Sequence, residues 1–264
     1  MRSYIYGMII SFQFFTVIPI QKEVPMTSQN IERAIRTFPI FGGLLGLIIS
    51  GIAFTAMEWT PLSPLAIAFL LWVLPIVLTG GIHLDGWIDT NDAFFSYRDP
   101  SKRLEIMTDP RTGAFGIISI IVLLAAKFLF VYETVLHAEW FTLIVISMIP
   151  LISRMMMGMM LVVMPAAKQE GLGYTIRNAC QPQTLLYHFI YMILLIIGLW
   201  VWNGKVAFMV FIMFVSMLFI FLYVRIKVPK WFGGITGDVV GASGQGLEVM
   251  LWMITWLLHY YVMG

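Results

Sequence analysis

The chain has 264 residues, of which 60% are hydrophobic and 11% charged, with a formal net charge of +2. A mean hydropathy of +0.89 excludes an ordinary soluble domain. The small net charge says little about partners, but no basic stripe of the kind nucleic acid needs is present, and the lone Cys180 excludes an internal disulfide and any multi-cysteine metal site.

Long apolar runs separated by polar loops predict an all-α fold, a polytopic transmembrane helical bundle forming one domain over residues 1–264. The runs lie at roughly 5–20, 38–58, 63–82, 113–136, 140–164, 185–203, 206–225 and 247–262, and a span needs about 20 residues. The first and last are short and read as spans or as interfacial or re-entrant segments, so the expected count is six to eight spans. The first run has one arginine and no small-residue cleavage site, so it reads as a retained segment, not a signal peptide. No internal repeat or low-complexity segment appears.

Basic residues alternate along this pattern. Lys22, Arg33 and Arg36 lie between spans one and two, and Arg98, Lys102, Arg103 and Arg111 between three and four. Lys168 and Arg177 lie between five and six, and Arg225, Lys227 and Lys230 between seven and eight. The other loops are short and nearly bare, Lys205 excepted. By the positive-inside rule the four long loops face the cytoplasm.

Two cations fall within spans, Lys127 in "LLAAKFLF" and Arg154 in "PLISRMMMGMM". Charge in lipid is expensive, so each either faces a polar cavity or pairs with an acid such as Glu133. Arg154, mid-span beside Pro150, is the stronger functional candidate, as a substrate-binding group.

The acids cluster. Six of the fourteen acidic residues lie between positions 83 and 112. If residues 84–95 are helical, Asp85, Asp89 and Asp92 stand at i, i+4 and i+7, within roughly 60° of one another on one face. Such a stripe repels itself unless a cation neutralises it. Oxygen-only ligands favour a hard divalent ion, Mg²⁺ first. Mg²⁺ held by few carboxylates completes its shell with water and substrate phosphates, which points to phosphate or diphosphate chemistry. The plain alternative is a solvated loop whose acids balance the neighbouring Arg and Lys residues. His83 joins this site only if the helix begins after it; otherwise it is a structural hydrogen bonder.

Downstream, "MTDPRTGAFG" (107–116) offers Arg111 as a phosphate clamp and Asp109 as a metal ligand or as the group that orients Arg111. Helix-start chemistry is the alternative. The stretch "GGITGDVVGASGQG" (233–246) reads as a Gly-rich loop with Asp238, where Thr236 and Gly237 approach a phosphate through the backbone. No Gly-Lys-Ser/Thr follows, so it is not a Walker loop. Small residues there also suit close helix packing. "AAKQEGLGYTIRNA" (166–179) adds Lys168, Glu170 and Arg177 on the same face.

Together, "GGIHLDGWIDTND", "DPRTGAFG" and "GGITGDVVGA" resemble the ordered motifs of the cobalamin synthase family, the adenosylcobinamide-GDP ribazoletransferases. "FFTVIPI", "FPIFGGLLG" and "ISRMMM" also fit, so the likeness runs nearly end to end. Ala93 replaces an expected Gly, Pro110 a small polar residue, and "SGQGLE" lacks an Asn beside Gln245. None of these departures removes an acid. The resemblance implies a Mg²⁺-dependent enzyme of the inner membrane, with its active-site loops facing the cytoplasm. It would join α-ribazole, or its 5′-phosphate, to adenosylcobinamide-GDP, forming adenosylcobalamin or its phosphate and releasing GMP. On that reading Asp85, Asp89, Asp92 and Asp238, with Asp109 as a further candidate, hold the metal. His83 or a carboxylate takes the hydroxyl proton, and Arg111 and Lys168 steady the departing GMP. Membrane lipid is the surrounding partner, and a homo-oligomer stays open. Aromatic prenyltransferases and lipid-alcohol phosphotransferases share the physics but not these paired motifs. A transporter fits less well, because the acids lie at span ends and no inverted repeat appears.

Overall fold

The computed structural model describes residues 2–263. Among these residues the chain forms twelve α-helices and a closing π-helical turn, His259–Met263, with no strand. The helices are α1 (Arg2–Phe15), α2 (Ser28–Arg36), α3 (Phe38–Trp59), α4 (Pro64–Thr79), α5 (Ile82–Phe95) and α6 (Pro100–Ile106), then α7 (Ala114–Leu136), α8 (Thr142–Val163), α9 (Gly171–Ala179), α10 (Thr184–Trp202), α11 (Gly204–Phe232) and α12 (Gly237–Leu258).

Five helices, α3, α7, α8, α10 and α11, are long and apolar enough to cross a membrane, and α4 with α5 makes a sixth candidate bent by 88°. The chain is therefore a multi-pass membrane bundle at the lower end of the expected count. The two runs read as short, and as interfacial or re-entrant candidates, are the ones that do not join this set. The run at 5–20 yields only the 14 residues of α1, short of a crossing. The run at 247–262 belongs to α12, a core helix whose Gly241, Gly244, Gln245 and Glu248 are buried.

The bend between α4 and α5 has a local cause. Gly80 and Gly81 both adopt left-handed backbone, with φ of 63° and 74°. Glycine enters this region without steric cost, so the first closes α4 and the second opens α5 in a new direction.

Close packing builds the centre. On α3, Gly42, Gly46 and Ser50 recur every four residues. A methyl group on Gly46 would lie 2.0 Å from the Ser147 carbonyl oxygen, and one on Gly42 would lie 2.4 Å from that of Pro150. The two backbones thus touch, as small residues allow in membranes. Ser50 Oγ adds a hydrogen bond to the Leu143 carbonyl at 2.8 Å. Helix α8 runs through the middle of the bundle. Its Met155, Met156, Met157 and Met160 are almost fully buried, so this methionine run fills the core.

The two charges within spans meet one partner. Glu248 on α12 accepts from Lys127 Nζ of α7 at 2.8 Å and from Arg154 Nη1 of α8 at 2.9 Å. The partner is therefore Glu248, which lies 121 residues from Lys127 in the chain, and not Glu133. The triad ties three helices together where neither cation meets solvent.

Candidate active site

Helix α5 begins at Ile82 and is continuous to Phe95, so Asp85, Asp89 and Asp92 do share one face. Asp85 is exposed, and Asp89 and Asp92 are half-buried. His83 lies inside the first turn, on the other side. It is buried, stacks on Phe15 at 5.8 Å, and faces Gly241 of α12. Its Nε2 has no hydrogen-bond partner.

Three separate stretches of sequence converge on this helix. Helix α12 reaches it at Gly86: a methyl group there would lie 2.8 Å from the Asp238 Cα. Only a hydrogen at that position lets Asp238 approach the stripe. The carboxylates of Asp85, Asp238 and Asp92 all act on Asp89 and oppose its charge. No Lys or Arg forms an ion pair with Asp85, Asp89, Asp92 or Asp238 among the described residues. Lys168 is the cation that acts on Asp238.

The start of α7 reaches the stripe at Asp92. Its two carboxylate oxygens accept from the backbone N–H groups of Gly113 at 2.6 Å and of Gly116 at 2.7 Å. Asp92 thus caps α7 from another helix, where the dipole favours negative charge. A methyl group on Gly113 or Gly116 would fall 2.4 or 2.5 Å from that carboxylate. Both glycines of "DPRTGAFG" are there to admit Asp92.

A short backbone pairing brings the last stretch in. Ala167 N–H donates to the Ile235 carbonyl at 2.9 Å, and Ile235 N–H donates to that of Pro165 at 2.8 Å. This ties the segment carrying Lys168 to the segment before α12. Thr236 then caps α12, its Oγ1 accepting from the Val239 N–H at 3.2 Å and donating to Asp238 at 3.4 Å. The expected Gly-rich loop is corrected: from Gly237 onward it is helix. Gly241, Gly244 and Gly246 admit His83, Met157 and Trp87, and serve packing.

Arg111 and Asp109 pair with each other. Arg111 Nε donates to Asp109 Oδ1 at 2.9 Å and Nη2 to Oδ2 at 2.6 Å, with the arginine largely exposed. The guanidinium holds the Asp109 carboxyl well below the usual range, at about 2. Asp109 therefore orients Arg111 on the loop before α7. Arg154 lies in the buried triad with Glu248.

The cobalamin-5-phosphate synthase family model matches residues 7–256 of the chain. The chain belongs to this family. Curated members carry the name adenosylcobinamide-GDP ribazoletransferase. The chain is 40% identical to that of Geobacillus sp. (strain WCH70), over 97% of both chains. It is 37% identical to that of Geobacillus thermodenitrificans, over the full length of both. It is 34% identical to that of Acinetobacter baumannii (strain ACICU), over 96% of this chain and 97% of the relative. No solved structure matches the chain. Cobalamin-5-phosphate synthase membership agrees with the resemblance read from the motifs.

Sequence reasoning found the acids but missed the residues that assemble them. Gly113 and Gly116 admit the Asp92 carboxylate, Gly86 admits the Asp238 backbone, and Glu248 pairs with both buried cations. The usable signal was glycine recurring beside acid in all three motifs.

Proposed function

We propose that the chain joins α-ribazole, or its 5′-phosphate, to adenosylcobinamide-GDP and releases GMP, in a Mg²⁺-dependent reaction at the cytoplasmic face of a bacterial or archaeal inner membrane. The observation that carries this reading is the contact of Gly86 with Asp238. It packs the backbone of a distant acidic residue against the helix of the acidic stripe, whose Asp89 feels the Asp238 charge and whose acids have no ion-pair partner among the described residues. The alternation of basic loops supports the cytoplasmic placement.

The donor set fits Mg²⁺ chemically: oxygen-only, acidic and without an ion-pair partner among the described residues. Among the described residues no three acidic, His or Cys side chains already converge as a metal cluster. Mg²⁺ would therefore be held by one or two of these carboxylates together with substrate phosphates. Asp85, Asp89 and Asp238 are the carboxylates free to hold it, since Asp92 is occupied by two backbone amides. When bound, the ion would neutralise the diphosphate.

The chain's own residues then have limited tasks. In phosphoryl transfer, alignment and charge neutralisation dominate. A ribazole hydroxyl attacks the cobinamide-linked phosphorus, a P–O bond forms, and the P–O bond to GMP breaks. One stripe carboxylate accepts the hydroxyl proton. The burial of His83 against Phe15 favours a carboxylate for that task. Lys168, whose charge acts on Asp238, steadies the departing phosphate, and Arg111 meets it from the loop before α7.

The test is direct. Purified protein is incubated with adenosylcobinamide-GDP and α-ribazole, with Mg²⁺ or with a chelator. GMP release only with the metal and both substrates is expected. Solute movement in vesicles without GMP release would overturn the reading.

A further inference from the structure

A second feature lies on the other side of α5. A groove of about 970 Å³ runs between α5, α7, α11 and α12. This is at the upper end of ligand-pocket sizes, about 300–1,000 Å³. Several residues that line it, including Phe115, Ile118, Val122 and Tyr223, are also exposed on the outer face of the bundle. The groove therefore opens sideways, where membrane lipid lies.

No charged residue lines it. Charge collects at one end. Tyr97 lines the groove and Arg98 follows it, exposed. Lys227 Nζ lies 5.8 Å from the ring of the lining Tyr223. Arg103 is held at the same end, donating to the Trp231 carbonyl at 3.0 Å and the Phe94 carbonyl at 3.2 Å, which leaves Arg98 and Lys227 as the cations open to a ligand. The nearby acids are engaged elsewhere: Asp99 accepts from the Lys102 N–H at 3.0 Å, and Glu105 pairs with the Lys102 side chain.

Two further atoms need partners. Trp87 Nε1 and Thr90 Oγ1 are buried without a hydrogen bond, and both residues line the groove. An unpaired buried donor is costly. A bare hydrocarbon chain leaves both unpaired. The ester carbonyls of a glycerolipid, set between headgroup and chains, are acceptors for both.

We propose that this groove binds an anionic phospholipid. Its acyl chains lie against Ile118, Val122 and the aromatic walls, its ester carbonyls accept from Trp87 and Thr90, and its phosphate meets Arg98 and Lys227. Basic pockets between membrane helices at the headgroup level recognise anionic lipids in this way, and tyrosine and tryptophan sit at the same level.

The test is native mass spectrometry of the full chain, delipidated in detergent and titrated with phosphatidylglycerol or phosphatidylcholine. One phosphatidylglycerol per chain is expected. Each basic residue near an anionic headgroup contributes about 1 kcal/mol, about fivefold, so R98Q with K227Q should lower phosphatidylglycerol retention about 25-fold. Phosphatidylcholine retention should barely change. Ala126→Phe, placed in the groove wall, should abolish retention of both, with thermal unfolding confirming that each variant is folded. Equal retention of the two lipids by the unaltered protein would overturn the proposal. So would full retention in folded Ala126→Phe, release of the lipid by α-ribazole, or a chain dimer covering the groove in place of lipid.

Discussion

Asp92 on α5 accepts a hydrogen bond from the backbone N–H of Gly113 at 2.6 Å, so an acid of one motif caps the helix that opens from another. A charged acceptor on two amides contributes about 1.5–3 kcal/mol per bond, and an asparagine can serve only one of them well. Asp92→Asn should lower the thermal unfolding midpoint in detergent. Gly113→Ala should do the same by crowding the carboxylate. A midpoint unchanged in both variants would remove the capping role.

Gly86 sets the spacing between α5 and α12. A methyl group there meets the Asp238 Cα at 2.8 Å, so the helices must part. A displacement of this kind costs up to about 100-fold in rate where geometry is exacting. Gly86→Ala should cut GMP release at least tenfold, on the order of part of that range, while the protein stays folded. Gly198→Ala, with open space around it on α10, is the control and should keep full activity. Equal activity in the two variants would mean that Asp238 need not sit against the stripe.

The charges of Asp85, Asp238 and Asp92 all oppose that of Asp89. If the stripe holds Mg²⁺, Asp89→Asn should lower kcat by about 100-fold or more, in the range of lost transition-state charge stabilisation. The Mg²⁺ concentration for half-maximal rate should also rise. Near-normal turnover in a folded Asp89→Asn protein would exclude the metal role.

Glu248 is the shared partner of Lys127 and Arg154. Removing one member of a buried charge pair costs about 3–5 kcal/mol, because it leaves a cation unpaired. Glu248→Gln should therefore lose much of its folded fraction in size-exclusion chromatography. Replacing all three with Met, Met and Leu should recover it, since no charge remains to be compensated. Failure of the triple variant together with a healthy single variant would contradict this account.

The Asp109–Arg111 pair predicts a pH behaviour. The Asp109 pKa is depressed to about 2, so any stabilisation by its charged form is present above the unfolded value, about 3.9, and is lost only as pH falls towards 2. Asp109→Asn should thus leave the shape of the activity–pH profile unchanged above about pH 4. A shifted acid limb in that variant would show that Asp109 titrates in the working range.

The amino-acid sequence by itself determined the class of molecule and the chemistry it can carry. Apolar runs long enough to cross a bilayer are a local property, and so is the spacing of Asp85, Asp89 and Asp92 on one helix turn after another. The paired glycines that bend α4 into α5 also act locally, through backbone conformation. Tertiary structure decided which side chains meet. Glu248 reaches Lys127 across 121 positions, and Gly86 admits Asp238 across a still longer separation. Such pairings follow from how backbones pack at glycine and serine, which no periodicity reports. Burial likewise turned His83 away from the stripe it opens and made the apparent glycine loop after Gly237 a packed helix, because the neighbours that cover each residue are distant in the chain.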